Sequence, residues 1–442
     1  MDHQRILVVM MLMAMVLAMA DKEKGGDESK RLFMLEDSKQ VVKTEAGEVK
    51  VISGPKLDRD MPNMHIGFIS MEPNSLFIPQ YIDANLIFFV RRGEVKMGWI
   101  YKDEYVEKKL KMGDVNFIPA GSAFYMVNTG IGQRLQIICS IDASQTIGFN
   151  SYHPFYIAGG INPSSVLFGF DMGTLTTALN ATAEEIGKVM TSRTDGAIVF
   201  IDGKEAEPPA KFMKRKLKDM SGRRDGDVDD EDGEEIDDGG VWTWRKMLGS
   251  LLKTRKGKAK GPVRAPDSYN LYDSAPDFKN KYGWSLALDE NEYEPLKHSD
   301  FGVYLVNLTG GTMLAPHVNP RATEFGVVLG GEGRVQVVFP NGTMAMNEEV
   351  SEGDVFWVPR YFPFCHIASR SGPMEFFGFT TAARRNWPQF LAGARSLLKT
   401  MMGPELAAGF GVNQTRLRRM VEAQKEELFL PTWPVKEEFM SE

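Results

Sequence analysis

Short apolar runs, each broken by glycine, proline or asparagine, recur along two stretches of the chain. The first stretch contains LIFFVRRGEVKMGWI at 86–100 and VNFIPAGSAFYMV at 115–127, and the second contains EFGVVLGGEGRVQVVF at 324–339 and DVFWVPRYFPFCHIA at 354–368. Runs rich in β-branched and aromatic residues favour strands, and the turn residues between them favour hairpins. Many short strands at this spacing predict an antiparallel sandwich or barrel in each stretch.

A helical pattern follows each stretch. Thr182 and Glu185 form a capping box before EEIGKVM, which is a typical helix start. In the second stretch, QTRLRRMVEAQKEEL places Leu417, Met420 and Val421 on one helical face. We therefore predict a mainly β protein with two β-barrels, each followed by a helical arm.

The two stretches repeat the same sequence blocks in the same order. GDVNFIP at 113–119 matches GDVFWVP at 353–359, and SLFIPQYIDA at 75–84 resembles TMLAPHVNPRA at 312–322. ALNATAEEIGKVM in the first copy also resembles FGVNQTRLRRMVEA in the second. Blocks that recur in order indicate a duplicated domain.

The first 20 residues have the pattern of a secretory signal peptide. Arg5 precedes an apolar run from Ile6 to Ala20 that ends in an A-x-A motif, and the polar sequence DKEKGGDESK follows. This pattern predicts cleavage after Ala20 and entry into the secretory pathway. The alternative is a membrane anchor, which needs about 20 apolar residues. Because this run is shorter, we expect no stable membrane association.

A secreted chain makes its N-x-S/T sequons candidate glycosylation sites. The four sequons are at Asn180, Asn307, Asn341 and Asn413. Asn341 is favoured because FPNGT is typical of a hairpin turn, whereas Asn307 lies in a predicted strand. Asn180 and Asn413 each precede a helical pattern, so a helix N-cap is the alternative for both.

The composition changes between the two copies. Ten of the fourteen residues from Asp225 to Asp238 are acidic, which predicts a solvated loop. WTWRKMLGSLLKTRK follows and is expected to form a short amphipathic helix that packs on a barrel, with a membrane or polyanion contact as the alternative. Processing proteases are expected to act in this linker.

These patterns divide the chain into six segments. They are a signal peptide at 1–20, a polar segment at 21–32, the N-terminal barrel with its helices at 33–202, a charged and partly disordered linker at 203–265, the C-terminal barrel with its helices at 266–431 and a tail at 432–442.

Composition and charge narrow the possible chemistry. The hydrophobic fraction of 43% and the charged fraction of 25% are ordinary for a globular protein. The net charge of −7 gives no support for nucleic-acid binding. Cysteine occurs only at Cys139 and Cys365, which excludes a disulfide framework and a cysteine-rich zinc module.

Two motifs in the second copy resemble the motifs of the cupin superfamily. They are GGTMLAPHVNPRATEFGVVLGGEG at 310–333 and GDVFWVPRYFP at 353–363. With the duplication, the closing helices and the phrases YNLYDSAPDFKNKYGW and FFGFTTAARRNWPQFLAG, the chain resembles the vicilins, the 7S globulin seed storage proteins of plants. The resemblance runs from Phe33 to Pro431.

This resemblance carries expectations about structure and function. It implies a jelly-roll bicupin fold, a homotrimer held together by the helical arms, and deposition in the protein storage vacuoles of seeds, with an extracellular location as the alternative. It also implies a nutrient reservoir and no enzymatic activity, so no catalytic residue is predicted.

Germin-type oxalate oxidases, which are metal-dependent cupins, use three histidines and one glutamate, and this chain keeps only part of that set. His317 and Glu324 match the first motif, but Asn319 stands in place of its second histidine, and Phe364 occupies the position of the histidine in the second motif. In the first copy, Gln80 replaces the first histidine. We therefore predict no ligand in the first copy.

A second class of function stays open, namely a copper- or zinc-binding cupin with a defensive, regulatory or oxidase-like role. Because side chains alternate along a strand, His366 is expected to face the same interior as Phe364 and to meet His317. Imidazole with thiolate or phenolate suits copper or zinc, and some vicilins bind copper through such residues. The predicted metal ligands in the C-terminal barrel are His317, His366, Cys365, Tyr361 and Glu324.

Overall fold

The computed structural model describes most of both repeated copies. The described residues are 31–55, 64–101, 104–142, 152–201, 267–384 and 386–432. The predicted signal peptide at 1–20, the linker at 203–265 and nearly all of the tail lie outside these ranges. Among the described residues, no helix has the length and apolar character that a membrane span requires.

The chain divides into two compact units. Of the residues that the structure describes, the N-terminal unit contains 37–55, 64–101, 104–142, 152–201, 267–275 and 290–300. The C-terminal unit contains 31–36, 276–289, 301–384 and 386–432. Each unit therefore includes a short segment that is distant in sequence from its main body.

The N-terminal unit is built from two antiparallel sheets. Its strands are β1 (Ser38–Thr44), β2 (Gly47–Ser53), β3 (Met64–Met71), β4 (Ser75–Ile82), β5 (Leu86–Arg92), β6 (Glu94–Tyr101), β7 (Glu104–Lys111), β8 (Asp114–Ile118), β9 (Phe124–Asn128), β10 (Leu135–Asp142), β11 (Pro154–Tyr156), β12 (Ile198–Phe200) and β13 (Tyr269–Asn270). The first sheet has the order β1-β2-β3-β10-β5-β8-β13. The second has the order β11-β4-β9-β6-β7, and β12 also pairs with β4.

Alternating side chains build the interior of this unit. Phe88 and Val90 of β5 and Val95 and Met97 of β6 are almost completely buried in one apolar cluster. Burying a side chain of this size contributes about 1.5–3 kcal/mol. The inward faces of the two sheets are therefore a main source of the stability of the barrel.

The C-terminal unit repeats this plan. Its strands are β14 (Phe278–Asn280), β15 (Gly283–Leu288), β16 (Gly302–Leu308), β17 (Thr312–Val318), β18 (Glu324–Gly330), β19 (Glu332–Val338), β20 (Met344–Ser351), β21 (Val355–Val358), β22 (Pro363–Ala368), β23 (Met374–Thr380), β24 (Gln389–Phe390) and β25 (Phe429–Pro431). One sheet has the order β14-β15-β16-β23-β18-β21, and the other has the order β20-β19-β22-β17-β24, with β25 paired to β17. The predicted pair of β-barrels is confirmed.

The segment before β1 belongs to the C-terminal unit. The backbone N–H of Leu35 donates to the carbonyl oxygen of Val355 (2.8 Å), and the N–H of Trp357 donates to the carbonyl oxygen of Phe33 (2.9 Å). The ring of Phe33 packs edge-on against Trp357, with 5.2 Å between centroids. These contacts extend the sheet beyond β21 with a piece of chain from the other end of the sequence.

Short helices follow each barrel, as predicted. They are α1 (Met172–Leu179), α2 (Ala183–Thr191), α3 (Leu397–Thr400), α4 (Pro404–Gly409) and α5 (Gln414–Val421). The Thr182–Glu185 capping box at the start of α2 is confirmed. In α5, Leu417 and Val421 are buried, but Met420 is 61% exposed. Met420 lies about 100° around the helix from Val421, at the edge of the predicted apolar face, and therefore remains at the surface.

Candidate functional site

The candidate site lies inside the C-terminal barrel, where β17 and β22 pair. His317 stands opposite Phe364, and Leu314 stands opposite His366. The register shifts between Leu314 and His317, where Pro316 has no N–H to give to the ladder. Both histidines are almost completely buried, and their ring centroids are 6.3 Å apart. The predicted meeting of the two rings is confirmed.

His317 is a neutral imidazole with a defined tautomer. Its Nδ1 lies 2.8 Å from the carbonyl oxygen of Ala315. Because a carbonyl only accepts, Nδ1 carries the proton and Nε2 carries the lone pair. The ring packs against Phe364 at 4.0 Å and Phe390 at 5.1 Å between centroids. Burial lowers the pKa of His317 to about 4.

The ring of His366 packs among aromatic side chains. Its ring stacks on Phe376 at 4.3 Å and contacts Phe356 at 5.1 Å and Phe364 at 5.4 Å between centroids. Both ring nitrogens are buried and have no hydrogen-bond partner. The pKa of His366 lies well below its usual value; burial is the main cause, and the nearby His317 is the second. A buried donor or acceptor without a partner costs about 1–3 kcal/mol, so the buried nitrogens of His366 lower the stability of the folded protein.

Glu324 is bonded to the residue that replaces the second motif histidine. Asn319 Nδ2 donates to Glu324 Oε1 at 2.7 Å. Asn319 Oδ1 accepts hydrogen bonds from the backbone N–H groups of Arg321 and Ala322. Burial raises the pKa of Glu324 to about 7, although the bond from Asn319 acts in the opposite direction. The bond between Asn319 and Glu324 therefore links the β17–β18 turn to the start of β18.

Cys365 and Tyr361 have surroundings that differ from those of the two histidines. Cys365 Sγ donates to Gln336 Oε1 at 3.4 Å, and burial raises the pKa of its thiol to about 11. Tyr361 is 60% exposed, adopts a left-handed backbone with φ of 77° and lies under the guanidinium of Arg360. These contacts keep the thiol protonated and leave the phenol ring largely in solvent.

Of the five predicted ligands, the structure thus places the rings of His317 and His366 next to each other. Within the described part of the chain, no three His, Cys, Asp or Glu side chains converge into a group that could hold a metal ion. A zinc site normally has three or four protein ligands, so the donor set does not fit zinc. The two imidazoles, with a lone pair on His317 Nε2 and unpartnered nitrogens on His366, fit a two-coordinate ion only.

The sequons occupy different local structures. Asn341 is exposed in the β19–β20 turn, where its Oδ1 accepts from the N–H and hydroxyl of Thr343. Asn307 lies within β16 and donates from Nδ2 to Glu375 at 3.3 Å. Asn413 is the N-cap of α5, which confirms that alternative. The N-cap alternative is wrong for Asn180. This residue is the C-cap of α1, with a left-handed backbone (φ of 48°), and Thr182 is the N-cap of α2.

Sequence reasoning missed a cavity of about 360 Å³ inside the N-terminal barrel. Gln80 lines it, at the position that aligns with His317 of the second copy. Gln80 is 2% exposed, and its Nε2 has no hydrogen-bond partner. A polar residue on the buried face of an otherwise apolar strand was the signal that could have indicated this cavity.

Comparison with known proteins places the chain among seed proteins. Residues 33–171 and 269–418 match the Cupin family model. A vicilin-like seed storage protein of Arabidopsis thaliana is 50% identical over 416 residues, which cover 90% of this chain and 80% of that protein. A vicilin of Pistacia vera is 27% identical over 412 residues, covering 89% of this chain and 68% of that protein.

Solved vicilin structures share the fold. The vicilin of Corylus avellana superposes with a TM-score of 0.72 at 22% identity, covering 91% of this chain and 99% of that chain. The vicilin of Solanum melongena superposes with a TM-score of 0.75 at 20% identity, covering 93% and 100%. The latter is described as having different anionic ligands in structurally similar pockets. The predicted jelly-roll bicupin fold is therefore confirmed.

Proposed function

Because the chain belongs to the cupin family and, within it, to the vicilin-like seed storage proteins, we infer that it is a nutrient reservoir of the 7S globulin type. The observation that carries this conclusion is the 50% identity to an Arabidopsis storage protein across both barrels. The duplicated fold agrees with it. A storage globulin needs a stable, compact fold that can be packed at high density and later degraded.

We propose that the protein has no enzymatic activity. The chemistry of the buried groups supports this proposal. Burial disfavours the imidazolium of both His317 and His366, and the thiol of Cys365 is protonated. A nucleophile paired with a base would need a hydrogen bond between the two, and Cys365 Sγ donates to Gln336 instead.

We propose that the protein forms a homotrimer through its helical arms. Both arms carry large apolar side chains at the surface, which is typical of interaction sites. Those after the N-terminal barrel are Ile161, Phe168, Phe170, Met172, Leu179 and Val189, and those after the C-terminal barrel are Met401, Phe410, Val412 and Met420.

We propose that the signal peptide is removed after Ala20, that the mature protein reaches the protein storage vacuole of seeds and that proteases process the linker at 203–265. The parts of the chain on either side of the linker, 33–202 and 266–431, would then survive as fragments. Asn341 is the favoured glycosylation site because it lies on an exposed turn.

The storage function is tested in the seed. Protein abundance should rise during seed maturation and fall during germination, measured by quantitative mass spectrometry of peptides from both barrels. Leaf and root tissue serve as the control. A constant level through germination, or equal abundance in leaf, would contradict a reserve role.

A second candidate function is copper binding by His317 and His366. The observation that favours it is the pair of unpartnered, buried nitrogens on His366. A metal about 2.0 Å from each of two facing imidazole nitrogens would separate the ring centroids by about 6 Å, close to the observed 6.3 Å. The test is elemental analysis of protein purified without chelators, with a His317→Ala/His366→Ala double variant. One copper per chain that the variant loses would support this function, and no bound metal would exclude it.

A further inference from the structure

Three loops of the C-terminal unit meet at one end of its barrel, because the strands that they follow are paired there. They are the β17–β18 turn (319–323), the β21–β22 turn (359–362) and the segment after β23 (381–384 and 386–388).

Backbone hydrogen bonds hold the three loops together. The buried Thr323 exchanges two bonds with Thr381: its N–H donates to Thr381 Oγ1 at 2.9 Å, and its carbonyl oxygen accepts from the N–H of Thr381 at 3.0 Å. Thr323 Oγ1 also accepts from the N–H of Arg360 at 3.3 Å. The N–H of Tyr361 donates to the carbonyl oxygen of Asn319 at 2.8 Å. The side chains of these loops therefore share one end of the barrel.

The three loops are basic. Their sequences, NPRAT, PRYF and TAARRNWP, contain four arginines and no acidic residue, in a chain whose net charge is −7. Arg321, Arg360 and Arg384 are exposed. The planar guanidinium can donate two parallel hydrogen bonds to one carboxylate. This end of the barrel therefore favours a partner that carries carboxylates.

Two large aromatic side chains are exposed on the same loops. Trp387 is 55% exposed and Tyr361 is 60% exposed. The guanidinium of Arg360 lies 5.2 Å from the centroid of the Tyr361 ring. Tryptophan, tyrosine and arginine are the residue types most enriched among those that dominate the binding energy of protein interfaces. The basic loop surface consists of Arg321, Arg360, Tyr361, Arg384 and Trp387.

The chain itself contains a segment with complementary chemistry. Residues 225–238 read DGDVDDEDGEEIDD, with ten acidic residues and two apolar ones, Val228 and Ile236. The carboxylates complement the arginines of the basic loop surface, and the two aliphatic side chains complement its two exposed rings. An inorganic polyanion such as polyphosphate has no apolar part. The aromatic rings therefore favour an acidic polypeptide over a purely ionic partner.

The acidic segment is attached by a long stretch of chain. Asp225 lies 24 positions after Ile201, the last described residue before it. An extended chain spans about 3.3 Å per residue, so this stretch reaches about 80 Å. For comparison, a compact domain of 150 residues has a radius of gyration of about 15 Å. Because attachment makes binding intramolecular, the local concentration of this segment exceeds that of a free acidic protein.

We propose that the basic loop surface binds the acidic segment 225–238 of the same molecule. The arginines pair with carboxylates of the segment, and the rings of Tyr361 and Trp387 pack against Val228 and Ile236. A bound segment is less accessible to proteases than the solvated loop that its composition predicts.

The first test measures the binding of a fluorescein-labelled peptide with the sequence of 225–238 by fluorescence anisotropy. The full chain is used as the wild type and as a neutralised variant, in which every Asp and Glu of the segment is replaced by Asn or Gln. Arg360→Glu is then added to the neutralised variant. Arg370→Glu is the matched control, because Arg370 is also exposed but follows the opposite end of β22.

The neutralised variant should bind one peptide per chain. The wild type should bind it about tenfold more weakly or less, because its own segment occupies the surface. Arg360→Glu should weaken binding about tenfold or more, whereas Arg370→Glu should change it less than about twofold. Equal binding by the wild type and the neutralised variant, or equal effects of the two arginine substitutions, would overturn the proposal.

A second peptide separates a polypeptide partner from a simple anion. In this peptide, serine replaces Val228 and Ile236, and all ten carboxylates remain. It should bind about fivefold more weakly than the original peptide, because it buries less apolar surface against the rings. If both peptides bind equally and polyphosphate displaces both, the surface recognises charge alone, which would overturn the proposal.

A second readout follows the segment in the intact molecule. Endoproteinase Asp-N cuts before aspartate, and mass spectrometry gives the rate of cleavage within 225–238. Because cleavage follows the population of the released segment, Arg360→Glu should raise the rate about threefold or more. Arg370→Glu should leave the rate unchanged. Equal rates in the wild type and Arg360→Glu, or a wild-type rate that rises on dilution of the protein, would contradict intramolecular binding.

Discussion

Asn319 Nδ2 donates a 2.7 Å hydrogen bond to Glu324 Oε1 inside the C-terminal barrel. In the metal-dependent cupin motif, these two positions would be ligands of one ion. Here the amide donates to the carboxylate, and the same amide accepts two backbone N–H groups of the β17–β18 turn. The two motif positions therefore stabilise the β17–β18 turn.

Glu324 should make the protein less stable as pH rises. Its pKa is about 7 in the folded state and about 4.3 in an unfolded chain. Between these values the folded state holds more protons than the unfolded state, so the free energy of unfolding falls as pH rises. The expected loss from Glu324 is on the order of 3 kcal/mol between pH 4 and pH 8.

Urea unfolding of wild type and Glu324→Gln at both pH values measures this loss. The variant keeps an oxygen acceptor for Asn319 but cannot ionise. The difference in stability between the two proteins should grow with pH in favour of the variant. A difference that is independent of pH would mean that Glu324 ionises normally in the folded protein.

His366→Phe should stabilise the metal-free protein. The substitution removes two unpartnered nitrogens and places a phenyl ring among Phe356, Phe364 and Phe376. The expected gain is about 1 kcal/mol at pH 7. It should be larger at pH 5, because the unfolded histidine binds a proton below about pH 6.5 and the folded one does not.

Chemical denaturation in the presence of a chelator measures the effect of His366→Phe. The exposed His298 provides the matched control, since His298→Phe should change stability by less than about 0.5 kcal/mol. Destabilisation by His366→Phe at both pH values would show that the imidazole makes a favourable interaction in the folded protein.

Phe33→Ala should destabilise the C-terminal unit. Phe33 is 6% exposed and packs against Trp357 and Phe362. Truncation of a buried phenylalanine costs about 3–5 kcal/mol. Tryptophan fluorescence during denaturation follows the change, and Leu32→Ala, at an exposed neighbouring position, is the control. Equal midpoints for the two variants would indicate that the segment before β1 contributes nothing to this unit.

Val189→Glu should dissociate the proposed homotrimer. Val189 is 69% exposed on α2, so the monomer fold should tolerate the charge, whereas an apolar subunit interface should not. Light scattering after size-exclusion chromatography should show a threefold lower mass. Lys188→Glu, at an exposed position on the same helix, serves as the control. A trimer that survives Val189→Glu would place the interface elsewhere.

Structural features that are set by neighbouring residues along the chain were predicted correctly from the sequence. The strands, the Thr182–Glu185 capping box and the Asn341 turn follow from local propensity and periodicity. The meeting of His317 with His366 also follows, because alternation in β22 turns Phe364 and His366 to one side. Asn180 was misassigned because sequence places it between two helices without showing which helix it caps.

Sequence by itself determined the duplicated barrels, the helical arms and the family, because these depend on repeating patterns and on matches along the chain. Only the tertiary structure decided that His366 has no partner, that Tyr361 lies largely in solvent and that Phe33 completes the C-terminal unit. It also decided that Gln80 borders a cavity. Each of these outcomes depends on which atoms distant in sequence occupy the surrounding space, and neighbouring residues along the chain do not determine those atoms.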